Sequence, residues 1–157
     1  MDAQNEYATG TLRISHVETS RKVIAAVLEK YRAAKAPVIH VVHATPEGAP
    51  VFTPGTELAE EFAELKPAEG ESVVTKQFPG SFTGTELQTL LEGTGRKKVV
   101  LTGYMVCALV FSHTGPRASS GGGVSRKVQF TNLYTGPRVC FHDGAPGCGE
   151  GVGCHCC

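Results

Sequence analysis

Val17, Ile24, Val27, Leu28 and Tyr31 recur at helical spacing, while Glu18, Arg21, Lys22, Glu29 and Lys30 fall mostly on the other side. This is the pattern of an amphipathic helix laid on a sheet. Ser15-His16-Val17-Glu18 has the Ser-x-x-Glu spacing of a capping box, so the helix is predicted to start there, and Pro37 forbids its continuation. Val38-Ile39-His40-Val41-Val42 follows as a short, β-branched, nearly continuous apolar run, which reads as a strand covered on both faces and hence as parallel sheet. From His43 to Gly70 the chain is punctuated by Pro46, Gly48, Pro50, Pro54, Gly55, Pro67 and Gly70, so it is predicted to be mostly loop, with a helical turn or two within Glu57 to Leu65. A second strand is read at Ser72-Val73-Val74-Thr75. A second capping box, Thr83-Gly84-Thr85-Glu86, leads into a helix that buries Leu87, Leu90 and Leu91, and Lys98 to Gly103 forms a third strand. This alternation predicts an α/β fold, a central parallel sheet flanked by helices in three layers. The strand that should precede the first helix is missing from the pattern, so the sheet is expected to be incomplete.

Composition divides the chain. Residues 1–105 hold 13 acidic and 11 basic side chains, 9 Gly and no Cys; the last 52 hold 2 acidic, 4 basic, 10 Gly and all 6 Cys. We therefore place a domain at residues 1–111 and expect residues 112–157 to be a disordered Gly/Cys-rich tail. Fifteen basic against fifteen acidic residues leave no net field for phosphate backbones or anionic lipid, so neither nucleic acid nor a membrane is an expected partner. No apolar run approaches the ~20 residues of a membrane span, and MDAQNEY lacks a leader pattern, which makes the cytoplasm the default location. In the tail, Cys148, Cys154, Cys156 and Cys157 with His155 do not follow the paired spacings of structural zinc sites. A metal-binding or stress role for the tail is the weakest reading, and neither metal nor cofactor is expected.

Ligands of open α/β sheets sit beyond the carboxyl ends of the strands, which directs attention to Lys76, to His43 at the start of the long loop, and to Gly103 through Cys107. Three segments there carry a resemblance. Asp2-Ala3-Gln4-Asn5-Glu6-Tyr7, then Val73-Val74-Thr75-Lys76 with Phe78-Pro79-Gly80-Ser81-Phe82-Thr83-Gly84-Thr85-Glu86-Leu87, then Val99-Val100-Leu101-Thr102-Gly103-Tyr104-Met105 together resemble the isochorismatase-like cysteine hydrolases. That group includes isochorismatases, nicotinamidases and carbamoyl-sarcosine hydrolases. The resemblance covers residues 2–105 and implies a Rossmann-like three-layer sandwich. It also implies a catalytic Asp at Asp2, a Lys at Lys76, and a Cys nucleophile. The family's thiol stands six residues after the strand-ending Gly; here that position is Leu109, and Cys107 lies two residues early.

The function implied is hydrolysis of a small-molecule amide or vinyl ether through Asp2, Lys76 and Cys107, with the small molecule as partner and homo-oligomerisation left open. Near an ammonium and a helix start, a thiol ionises more readily than its free value near 8.5 allows, and a carboxylate can take its proton. The alternative is a catalytically inactive, truncated member of the family. Each residue also has an ordinary reading: Asp2 as a frayed terminus, Lys76 as an exposed lysine that contributes little packing, Cys107 as a small buried hydrophobe, and His40 as a core or edge histidine.

Overall fold

The computed structural model describes residues 1–104 and the strand Gln129–Asn132. In chain order the elements are α1 (Glu6–Thr9), α2 (Val17–Ala33), β1 (Ile39–His43), two short 3-10 turns (Glu57–Ala59 and Ala63–Leu65), β2 (Ser72–Lys76), α3 (Leu87–Gly93), β3 (Lys98–Leu101) and β4 (Gln129–Asn132). Both strand pairs are parallel: β1 runs beside β2 with Val41 opposite Val74 and His43 opposite Lys76, and β3 runs beside β4 with Lys98 opposite Gln129. The parallel α/β sandwich expected from the alternation is therefore present.

The sheet has one apolar cluster on each side. Ile24 of α2 packs with Ala3, Tyr7, Phe52, Phe62, Leu65 and Tyr104. Val41 and Val74 pack with Leu87 and Leu91 of α3, supported by Ile39, Val99 and Leu101. Burying one such aliphatic side chain contributes about 1.5–3 kcal/mol, so the strands are held mainly by these two layers.

The helix ends depart from the sequence expectation. Neither capping box forms: α2 begins after His16, which is left-handed at φ 58°, and α3 begins after Glu86, with no side-chain cap at either residue. Thr85, not Thr83, serves α3, its Oγ accepting from the Leu87 N–H at 3.4 Å. At the other end of α2 the helix stops before Pro37 can act. Lys35 adopts φ 50°, and the Lys35 and Ala36 N–H groups bond back to the carbonyls of Arg32 and Tyr31, closing a Schellman motif. The strand β4 falls inside the segment expected to be an unstructured tail, while the rest of that segment lies outside the described residues.

The first residues behave as sheet. The Met1 amine donates to Thr102 O at 2.9 Å, Tyr104 N–H donates to Met1 O at 3.1 Å, and Asp2 N–H donates to Val41 O at 2.7 Å. Met1 thus makes the two bonds of a parallel ladder rung opposite Gly103, and Asp2 makes one to β1. Gly103 is held at φ 126°, and a Cβ there would collide with the Met1 carbonyl, so this close approach needs glycine.

Candidate active site

Asp2 and Lys76 meet at the carboxyl ends of the strands. Asp2 Oδ2 lies 2.8 Å from Lys76 Nζ, and both side chains are only 2% exposed. The sequence reading of Lys76 as an exposed lysine beyond the strand is overturned: it is the last residue of β2, on the same face as Val74, and it is covered. Period-two alternation puts residues 74 and 76 on one face, and the Phe78-Pro79-Gly80-Ser81-Phe82 loop turns back so that the Pro79 carbonyl accepts from Nζ at 3.1 Å. The ammonium is thereby fixed between a carboxylate and a carbonyl.

Asp2 sits at φ 48°, a left-handed conformation that aspartate tolerates better than most side chains. Its Oδ1 is buried and has no hydrogen-bond partner among the described residues. Burial pushes the Asp2 carboxyl above the usual carboxylate range, and the Lys76 ammonium pulls it partly back. The half-buried His43 is pushed down, first by burial and then by Lys76, which favours its neutral form.

Gln4 holds this constellation together. Fully buried, it donates to the carbonyls of His43 at 2.8 Å and Ala59 at 2.7 Å, and accepts from the His43 N–H at 2.9 Å. The chain on either side of Gln4 is bonded to the long loop as well, through Asn5 N–H to Glu60 O and Phe62 N–H to Ala3 O. Behind the pair stands an aromatic wall: Tyr7 lies 5.6 Å from Phe52 and 5.1 Å from Tyr104 between ring centroids, and His43 lies 5.1 Å from Phe52. Burial raises the Tyr7 hydroxyl, with Asp2 and Glu6 adding to the effect, so Tyr7 stays neutral.

The structure brings Asp2 and Lys76 together and sets His43 opposite Lys76 in the ladder; Cys107 lies outside the described residues. Gln4, Tyr7 and Phe52 were not singled out from the sequence. Gln4 carries no periodic signal, and Phe52 sits in a Pro-rich loop at φ 53°, where no pattern announces burial. His40, read as a core or edge histidine, is buried away from the pair. It bonds Glu61 at 3.1 Å through Nδ1 and Glu71 at 2.9 Å through Nε2.

Known proteins resemble this chain in sequence and in fold. The isochorismatase domain family matches residues 1–114. A secreted isochorismatase effector, Isc1, of Verticillium dahliae is 60% identical over 117 residues, which are 73% of this chain and 62% of that protein. The crystal structure of a putative isochorismatase from Burkholderia xenovorans superposes with a TM-score of 0.71 at 29% identity, covering 84% of this chain and 62% of the other. That of N-carbamoylsarcosine amidase from Thermoplasma acidophilum gives 0.58 at 26% identity, covering 64% and 62%. The chain spans less than two thirds of the length of that effector and of an isochorismatase family protein of Bacillus subtilis, YddQ, to which it is 37% identical over 108 residues. The effector's description as secreted overturns the expectation of a cytoplasmic protein. That expectation rested on the lack of a leader in MDAQNEY, and these residues are folded into the site, so they are uninformative about targeting. No helix among the described residues is long and apolar enough to cross a membrane. With a buried acid–ammonium pair on a parallel sheet and a family match across residues 1–114, the chain belongs to the isochorismatase family.

Proposed function

We propose that this chain hydrolyses a small molecule at an amide or vinyl ether bond, with Asp2 as the group that moves the proton. The observation that carries this reading is the buried Asp2–Lys76 pair, whose Oδ1 has no partner among the described residues while its Oδ2 is held at 2.8 Å. A carboxyl raised by burial keeps its proton to higher pH than an exposed one and so can donate it, and the same group, when ionised, can act as a base.

On an amide, the Cys107 thiol gives its proton to Asp2 and its sulfur adds to the carbonyl carbon. The amine leaves with that proton, and water then cleaves the thioester. On a vinyl ether, the Asp2 carboxyl delivers its proton to the terminal vinyl carbon. Water adds to the resulting cation, and the adduct collapses to a ketone and an alcohol. Lys76 stabilises the Asp2 carboxylate in both routes. The amidase among the structural neighbours supports the first route, and the high position of the Asp2 carboxyl supports the second.

The test is turnover by the purified chain of simple amides, read as ammonia, and of an enol-pyruvyl ether, read as pyruvate. Asp2→Asn is expected to abolish either activity, and Cys107→Ser only the amidase. Activity that survives Asp2→Asn within twofold refutes the proposal. The second reading, a non-catalytic family member, is favoured by Leu109 standing where the family's thiol is expected, with Cys107 two residues early, and a folded chain that turns over neither substrate supports it.

A further inference from the structure

Away from the Asp2–Lys76 pair, a second charged cluster is buried. His40 of β1 is 7% exposed, and its ring spans two carboxylates: Nδ1 lies 3.1 Å from Glu61 Oε1, and Nε2 lies 2.9 Å from Glu71 Oε2. Glu71 is itself fixed. The Arg32 guanidinium of α2 donates to both of its oxygens at 2.8 Å, and the Ala68 N–H donates to Oε2 at 2.8 Å. The His40 ring is thereby tied on its Nε2 side to helix and loop, which leaves Nδ1 for Glu61.

Glu61 stands where the long loop meets the residues after Asp2. It pairs with Gln4 in an isolated antiparallel bridge, flanked by bonds from Asn5 N–H to Glu60 O at 2.8 Å and from Phe62 N–H to Ala3 O at 2.9 Å. A bridge one residue pair long has no extended ladder to set its register. Phe62 is fully buried, but apolar burial is non-directional and tolerates small slides that a hydrogen bond does not. The contacts close a circuit. β1 holds Asp2 through the Val41 carbonyl and, one residue earlier, holds Glu61 through His40, while residues 60–62 hold residues 3–5. The desolvation of buried charges offsets or exceeds their attraction, so stability alone is a weak reason for such a cluster.

We infer that His40 is a positioning residue for Asp2, acting through Glu61 to fix the register of residues 60–62 against residues 3–5. The inference rests on the proposed function in one respect, that Asp2 is the group that moves the proton. Burial is what raises the Asp2 carboxyl, and the loop segment paired with residues 3–5 contributes to that burial. A displacement of about 1 Å at a reacting group costs on the order of 10²-fold in rate, so a slide of the segment would be felt at Asp2.

The experiment compares the parent chain with His40→Leu/Glu61→Leu, which removes the bridge and leaves Glu71 paired with Arg32, and with Glu61→Gln, whose amide oxygen still accepts from the ring. The readouts are Tm, hydrogen exchange of the Asn5 and Phe62 amides, a carbon-NMR titration of the Asp2 carboxyl, and kcat and KM wherever turnover is found. The double variant is expected to melt within about 4 °C of the parent and to exchange both amides about tenfold faster. Its Asp2 carboxyl should titrate closer to the ordinary carboxylate range, and its kcat should fall about tenfold at unchanged KM. Glu61→Gln should match the parent in every readout. Amide exchange and the Asp2 titration need no turnover, so they decide the inference even in a chain that hydrolyses nothing, a result that counts against the proposed function alone. Parent-like exchange and an unmoved Asp2 titration in the double variant overturn the inference. A double variant that fails to fold also overturns it, because the cluster is then a stability element, as does a Glu61→Gln variant perturbed as much as the double one.

Discussion

Replacing Lys76 by Met keeps the length of the side chain and removes its charge, which isolates the electrostatic part of the Asp2–Lys76 pair. At 2.8 Å and an effective dielectric constant of about 20, two unit charges attract by about 6 kcal/mol, against which the desolvation of both ions is set. Removing one partner leaves a buried carboxylate without its donor, a change that costs about 3–5 kcal/mol. A small domain holds about 5–15 kcal/mol in all, so the variant should be close to unfolding. This replaces the reading of Lys76 as an exposed lysine that contributes little packing. The loss depends on pH with a definite sign. Without the ammonium the folded-state pKa of Asp2 is raised further above its unfolded value, so the folded protein binds the proton more tightly. Stability is then retained at low pH and lost as pH rises through the folded-state pKa. Urea unfolding followed by circular dichroism should therefore show a larger deficit for Lys76→Met at pH 8 than at pH 5. The double variant Asp2→Asn/Lys76→Met, which removes both charges, should recover about 2 kcal/mol of that deficit. A Lys76→Met loss below about 1 kcal/mol, equal at both pH values and unchanged in the double variant, would refute the claim that this pair is desolvated.

The remaining predictions concern the supports of the site. The hydrogen-bonded Arg32 guanidinium holds the Glu71 carboxyl down to about 2, below its ordinary value of 4.5. Its stabilising contribution is complete above the ordinary value and is lost as pH falls towards 2; Glu71→Gln should flatten that limb of a Tm-against-pH curve. Gln4→Leu, nearly equal in volume, strands the His43 N–H and the carbonyls of His43 and Ala59. With each buried orphan costing about 1–3 kcal/mol, we expect a loss of roughly 3 kcal/mol or more in chemical denaturation; a loss under about 1 kcal/mol would mean that water replaces these bonds. Gly103→Ala drives a methyl into the Met1 carbonyl. It should lower Tm and release the Tyr104 amide to fast exchange; a protected Tyr104 amide in that variant would show that Met1 does not hold the ladder position.

Local physics was legible along the chain. The 3.6-residue rhythm from Val17 to Tyr31 and the β-branched runs around Val41, Val74 and Val99 determine which segments are helix and which are strand, because each pattern can bury its apolar positions in only one conformation. The alternation of these elements was enough for a parallel α/β sheet, and the family resemblance pointed to Asp2 and Lys76, the two residues that the fold pairs. Four things waited for the fold. Helix starts depend on backbone angles set by packing, and His16 in a left-handed turn displaced the box that Ser15 and Glu18 could have made. The burial of Lys76 depends on a loop returning over it, and the spacing of Ser72 to Lys76 says which face the lysine shares with Val74 but not what covers that face. Gln4 acts through bonds to residues 39 and 55 positions away, and such bonds leave no periodic trace. The meeting of Asp2 with a lysine 74 positions later is likewise decided by strand order, since only the crossover between β1 and β2 brings the end of β2 beside the rung that Met1 and Asp2 make on β1 and β3.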